Sequence, residues 1–340
     1  MSTEVQATAP WITTQTRQLL AQRGHAWLLQ GPSGLGQYEL ALSLARAWLC
    51  DNPSAGGACG ACGSCHAIDV RTHADLCVLV PETVMLELGW PLGEKAQADI
   101  DDKKRKASKE IRVEAMREAV EFAQRTSARG RGKVVLVFPA EDMNTITANA
   151  LLKTLEEPAG DVRFVLATES AHQLLPTIRS RCITHTMLWP AAEDANAWLQ
   201  AQGVAPDVIP DLLRLCGGRP EDAWQRVQSG ASAEDWARFP KALASGDVLA
   251  LKEWSPQMLI EGAQKLCHDL MVQDAGAEPR FFAKSALKEI HPARVALAQW
   301  SKSLAQAMKT MEHPFNAGLM AESLVSQAQS VLHSGHSRTP

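Results

Sequence analysis

What this chain lacks narrows its identity first. No apolar run reaches the length of a membrane span, and the opening MSTEVQATAPW has neither the basic nor the apolar part of a secretory signal, so a cytoplasmic location is expected. Charge of one sign is also scarce. Lys and Arg number 34 against 38 Asp and Glu, a formal balance of −4, so no global field draws nucleic acid and any DNA contact must come from a local patch. There is no internal repeat. The most informative absence lies in Gly31-Pro-Ser-Gly-Leu-Gly-Gln-Tyr38, which has the glycine spacing of a phosphate-binding loop, G-x-x-x-x-G-K-[ST]. Gln37 and Tyr38 stand where that pattern needs Lys and then Ser or Thr.

The context of the loop is intact. Ala26–Gln30 reads as a short apolar strand running into it, and Glu39–Cys50 reads as a helix with Leu40, Leu44 and Trp48 along one face. Further strands are expected at Leu76–Val80, Val134–Phe138 and Arg163–Thr168. Helices are expected at Thr13–Gln22, at Ile111–Thr126 and around the stripe Ala148, Leu151, Leu152, Leu155, which Pro158 stops. Such alternation predicts a parallel α/β layer. Residues 82–110, with the mixed-sign run Asp101–Lys109, read as a solvated, partly disordered insertion, the sharper alternative being a basic finger on DNA. After Pro190 the strand signal disappears. Short helices broken at Gly217-Gly218 follow, and then amphipathic helices separated by Pro240, Pro256, Pro279, Pro292 and Pro314. Ser334–Pro340 reads as a frayed tail.

Both chemical losses in the loop point the same way. A lysine would put a cation on the β- and γ-phosphates, whereas Gln37 offers a neutral amide. A charge-assisted hydrogen bond contributes about 1.5–3 kcal/mol against about 1 for a neutral one, so affinity could survive the change. Catalysis is harder to keep, because the Tyr38 hydroxyl sits far out on a ring and cannot replace a short hydroxyl on Mg²⁺. A hydrolase of this type also ends a second apolar strand in Asp-Glu, for metal and water. Here Val134-Val-Leu-Val137 ends in Phe138-Pro139, with Glu141 and Asp142 out of register unless a bulge slides them back.

Four of the eight cysteines crowd into Cys50, Cys59, Cys62 and Cys65, a C-x8-C-x2-C-x2-C spacing. In a reducing compartment this reads as metal ligation, and four thiolates close a tetrahedral shell suited to structural zinc. An iron–sulfur cluster and a redox C-x-x-C are the alternatives. His66 is surplus to a four-cysteine shell and is expected at the surface.

Three passages resemble bacterial clamp-loader subunits of the AAA+ class: Asn149-Ala-Leu-Leu-Lys-Thr-Leu-Glu-Glu-Pro158, Phe164-Val-Leu-Ala-Thr168 and Ile178-Arg-Ser-Arg-Cys182. Pro10-Trp11 and Gly24-His25-Ala26 fit as well, and the resemblance is strong over about 10–190. The motor subunits gamma/tau share the cysteine insertion but keep Lys-Thr or Lys-Ser in the loop and Asp-Glu at the strand end. The two losses therefore resemble the delta-prime branch. That resemblance implies an AAA+ parallel-sheet domain (1–188) with a zinc module (50–66), a helical lid (189–231) and an all-helical collar (232–340). It also implies a five-membered ring with gamma/tau and delta that loads a sliding clamp onto primed DNA at replication forks, the polymerase activity belonging to the assembly. Arg181, in Ser-Arg-Cys, would be an arginine finger reaching in trans to a neighbour's ATP. Thr168 would hold the first sensor position as a relic, and Arg219 lies near the second. The rival readings are a self-sufficient ATPase of repair or recombination and a stand-alone zinc DNA-binding module.

Overall fold

The computed structural model describes residues 8–228, 233–252, 254–310 and 316–337. It divides into two compact units, one up to Trp198 and one from Leu199. The expected boundary at 231/232 and Pro314 lie outside the described residues. Among the described residues, no helix is long and apolar enough to cross a membrane.

The first unit is a five-stranded parallel sheet in the order β2-β3-β4-β1-β5, with β1 at Ala26–Gln30, β2 at Leu76–Leu79, β3 at Lys133–Val137, β4 at Val162–Thr168 and β5 at Ile183–Thr186. Every residue of β3 is buried, as a strand covered on both faces requires. Val135 and Val137 join Leu28, Phe164 and Leu166 in one core under α6 (Val113–Gln124) and α7 (Thr145–Glu156), which contribute Met116, Leu151 and Leu155. Val134 faces the other way, onto Ala45 and Leu49 of α2 (Gln37–Leu49) and Ile68 of α3 (Gly63–Asp69). The side-chain oxygen of Asn144 caps α7 by accepting from Thr147 N at 3.0 Å, and the helix ends before Pro158. The opening helix α1 (Pro10–Leu20) begins on a proline, where the missing N–H costs nothing. The expected strands and helices are present to within a few residues.

One strand was unforeseen and three expectations fail, the last of them at the end of the second unit. β5 gave no signal because Ile183-Thr-His-Thr186 is short, polar and mostly exposed; its pairing comes from β1, with Trp27 opposite Ile183. Residues 82–110 are folded, as α4 (Glu82–Leu88), α5 (Glu94–Asp101) and a return strap. The Glu82 carboxylate gathers that strap by accepting from both terminal nitrogens of Arg105 and from Ser108 N, which holds it below the usual glutamate range. One cation of the alternative reading, a basic finger, is thus turned inward, and Lys104 pairs with Asp102 at 2.8 Å. Pro240 does not separate helices but lies inside one.

The second unit is helical. After α8 (Pro176–Arg179) in the first unit, α9 (Ala192–Ala201) carries the chain across the division. It is followed by α10 (Ile209–Leu215), α11 (Pro220–Gln228), α12 (Ala233–Ser245), α13 (Pro256–Asp274), α14 (Lys284–Leu287), α15 (Arg294–Lys309) and α16 (Ala317–Leu332). Pro240 sits in α12 between Trp236, Phe239 and Leu243, all buried. Phe239 stacks on Trp254 and Phe282, so apolar packing on either side of the proline overrides its cost to the helix. Ser334–Ser337, expected to be frayed, forms a 3-10 turn, and Ser334 Oγ accepts from Ala293 N at 3.0 Å.

Back in the first unit, Asp75 is fully buried at the start of β2. It accepts from Ala128 N (2.7 Å), Arg129 N (2.8 Å), Ser127 Oγ (3.0 Å) and Lys133 Nζ (3.2 Å). Burial raises its pKa, but these donors together outweigh that and leave it below the usual aspartate range. Asp75→Ala would strand the Lys133 ammonium and is expected to cost about 3–5 kcal/mol in urea denaturation. In the wild type, a carboxyl with a depressed folded pKa contributes stability that is present above its unfolded value and lost as pH falls through the folded one. A stability profile through the acid range should therefore fall less steeply in Asp75→Ala than in the wild type.

Candidate functional site

The glycine loop leaves β1 at Gln30 and enters α2 through Gly34 (φ 75°) and Gly36 (φ 89°), a left-handed backbone that favours glycine. At Gly31 a Cβ would meet the Met187 Cβ at 2.8 Å. Gln37 is 2% exposed and donates from Nε2 to Gly31 O and Pro32 O, both at 2.8 Å. The residue in the lysine position therefore spends its donors on the loop's own carbonyls. The Trp11 indole of α1 donates to Leu35 O at 3.0 Å and pins the loop from outside. Tyr38 is buried, its hydroxyl accepting from Trp90 Nε1 at 2.6 Å and its ring 5.5 Å from that of Phe138. Burial pushes this phenol up to about 12, against the opposing hydrogen bond from Trp90. Where the motif would offer a cation and a short hydroxyl, this chain has a self-bonded amide and a buried phenol, tilted against Phe138 and bonded by Trp90 of the 82–110 segment.

The second strand end carries no acidic pair in the first two positions after β3. Phe138-Pro139 is followed by a 3-10 turn at Ala140–Asp142. Glu141 Oε1 accepts from Glu169 N, just past β4, at 2.9 Å. Burial, then Glu141 and Glu110, push the Asp142 carboxyl up to about 6. Thr168 is buried; its hydroxyl accepts from Ser170 N at 3.1 Å, and its carbonyl accepts from Gly31 N at 3.3 Å. Arg219, in the second unit, pairs with Asp222 at 2.6 Å.

Arg181 follows α8. Its guanidinium donates to Glu156 Oε2 from Nη2 (3.0 Å) and Nε (3.3 Å) and to Thr177 O from Nη1 (3.0 Å), and its side chain is 30% exposed. Glu156, at the end of α7, is the neighbour of Arg181 that sequence reasoning missed. Its one signal was membership of the Leu155-Glu-Glu-Pro158 passage.

The four clustered cysteines converge. All four Sγ atoms lie within 4.8 Å of one another, with Cys50 at 3.5 Å from Cys59, 3.7 Å from Cys62 and 3.8 Å from Cys65. A metal–sulfur bond of about 2.3 Å implies tetrahedral edges of about 3.8 Å, so this set fits one four-coordinate ion without an open position. Backbone N–H groups of Cys59, Asp51 and Cys65 point at the sulfurs of Cys50 and Cys62. Chiefly through the Cys65 N–H, the Cys62 thiol is drawn down to about 6, while burial pushes Cys65 up to about 12. Outside the sulfurs, Asp51 accepts from Ser64 Oγ at 2.7 Å, and Ser64 Oγ accepts from Arg129 Nη1 at 2.9 Å. His66 is exposed and takes no part, as expected.

A family model described as "DNA polymerase III, delta subunit" matches residues 12–188. The chain is 39% identical to the DNA polymerase III subunit delta' of Pseudomonas aeruginosa over 67% of its own length and 64% of that relative, so the match spans less than two thirds of it. It is 30% identical to the delta' subunit of Escherichia coli over 75% of this chain and 76% of that one. Among solved structures, a DNA polymerase III gamma subunit-related protein of Thermotoga maritima superposes with a TM-score of 0.50 at 17% identity, covering 94% of this chain and 99% of that one, a likeness of fold.

Replacing Cys62 by Ser takes away one of the four thiolates that could hold an ion while leaving a hydroxyl able to cap α3. It is expected to lower the bound metal measured by elemental analysis and to speed hydrogen exchange across 50–66. Cys77→Ser, outside the group, should leave both unchanged.

Proposed function

This chain belongs to the DNA polymerase III delta-subunit family, and we propose that it is the non-hydrolysing, delta-prime-type member of a clamp-loader ring. The observation that carries this reading is a contrast within one unit. In the chain's own glycine loop Gln37 is spent on the loop carbonyls and Tyr38 is buried and engaged by Trp90, whereas Arg181 is held at the surface with part of its side chain open.

In this reading ATP is bound and split by gamma/tau neighbours, and Arg181 is offered in trans. An arginine there stabilises charge developing on the transferred phosphoryl group; arginines supplied in trans to such sites contribute about 10³–10⁵ in rate. The delta subunit would complete the ring, and the assembly would place a sliding clamp on primer-template DNA. The cysteine group would hold a structural Zn²⁺, for which a closed shell of four thiolates is the usual donor set. The role of the metal would be to fix the 50–66 loop against α2 and α3.

The isolated chain is expected to give no magnesium-dependent ATP turnover in a steady-state assay; robust turnover would favour a self-sufficient ATPase instead. Within the reconstituted assembly, Arg181→Ala should fold and assemble normally and lower ATPase stimulated by primed DNA and clamp. A wild-type rate in that variant would rule out the trans role.

A further inference from the structure

A second concave site lies in the first unit, at the end of the sheet opposite the glycine loop. It is a cavity of about 780 Å³ at the amino ends of β1 and β4, walled by the end of α1, the end of α2 and the 53–55 stretch of the cysteine loop. Its lining includes four arginines, Arg17, Arg23, Arg131 and Arg163, and one carboxylate, Asp161. Asp161 is committed to Arg163 at 3.1 Å, and Arg163 lies over the Trp48 ring at 5.6 Å. Arg17 and Arg23 are exposed, and no carboxylate pairs with Arg17, Arg23 or Arg131 among the described residues. Two donors are buried without an acceptor, Nε of Arg131 and the indole Nε1 of Trp27, a residue only 1% exposed. In a chain with a net charge of −4, this concentration of uncompensated cations is local and concave, the arrangement that focuses field on an anion.

We propose that this cavity binds the phosphodiester backbone of a single-stranded nucleic acid. The lining side chains are rich in donors and poor in acceptors. A phosphodiester brings only acceptors, whereas an acidic peptide brings a backbone N–H with each residue and would leave those groups unpaired. Arginine rather than lysine supplies every cation in the lining, and its planar fork suits phosphate oxygens. Trp27 and Trp48 pack against each other with tilted rings 4.8 Å apart and Arg163 lies over Trp48, so recognition runs through phosphates and is indifferent to base sequence. The turn beside Arg131 is built on left-handed backbone that favours glycine. Gly130 and Gly132 have φ of 72° and 80°, and a Cβ on Gly132 would meet Asp161 O at 2.4 Å. This site is independent of the proposed ring and of Arg181.

The test is fluorescence anisotropy of a labelled oligo(dT) strand with the full-length chain, titrated at several salt concentrations. Binding is expected, with log K falling against log salt by about 0.7 for each phosphate neutralised. The double variant Arg17→Glu, Arg23→Glu changes two exposed residues and should bind about tenfold or more weakly, with a shallower salt slope and unchanged thermal melting. Arg131→Met, which keeps the stem and removes the charge, should weaken binding in the same direction. Lys104→Glu, Lys106→Glu in the 82–110 strap should not. Absence of oligo(dT) binding, affinity insensitive to the arginine variants, or equal competition by poly-glutamate would each overturn the proposal.

Discussion

The buried carboxylate of Asp75 is the point from which the first unit is organised. It stands at the head of β2 and takes donors from the 127–129 turn and from Lys133, the first residue of β3. One anion thus sets where an edge strand and its neighbour begin, and Leu76 pairs with Val134 as a result. The same turn presents Arg129, whose guanidinium reaches Ser64 and Asp51 beside the cysteine group. The cysteine loop is therefore tied to the sheet by a polar chain as well as by the apolar contacts of Ile68. Satisfying every donor is what makes such a buried group stabilising rather than costly.

The glycine loop shows how a binding scaffold can be retained while its occupant is replaced by the protein itself. Gln37 does not leave a vacant position; its amide closes the loop by bonding two loop carbonyls. Tyr38 is similarly consumed by Trp90 and Phe138. Reversing one substitution would leave the others in place, because the replacements lean on three separate segments. Lysine at position 37 would still be followed by a buried Tyr38 bonded to Trp90 and would still lack an acidic pair just past β3.

Much of this was legible in the sequence, and the parts that were not share a physical cause. Buried parallel strands declare themselves by continuous apolar runs, which is why β1, β3 and β4 were placed to within a few residues. The cysteine spacing announced convergence because ligands two residues apart can close on one ion. β5 has an exposed, polar sequence and is a strand only because β1 offers it an edge. Pro240 is helical because Phe239 and Trp236 are held by distant aromatics, information absent from the local window. Glu82 reads locally as one more surface acid, and only the fold brings Arg105 and Ser108 back to it. The arginine-lined cavity is the extreme case, its four cations coming from one helix, one strand and two loops separated by up to 146 residues (17 to 163).

The pairing of Arg181 with Glu156 bears on whether a surface arginine could act on another chain at all. Glu156 is 60% exposed in its side chain and Arg181 30%, and exposed pairs of this kind contribute only about 0–1 kcal/mol. The pair with Glu156, with Thr177 O as a second acceptor, holds the guanidinium in one orientation and removes some rotamer freedom before any partner arrives. A phosphate in a water-poor interface would bind the same guanidinium more strongly, through shorter charge-assisted bonds at lower effective dielectric. The carboxylate is therefore strong enough to aim Arg181 and weak enough to release it. A buried partner would have made the opposite compromise, because pulling a guanidinium from a desolvated carboxylate leaves an unpaired charge that costs several kcal/mol. Exposure at Glu156 is thus a requirement of the proposed role.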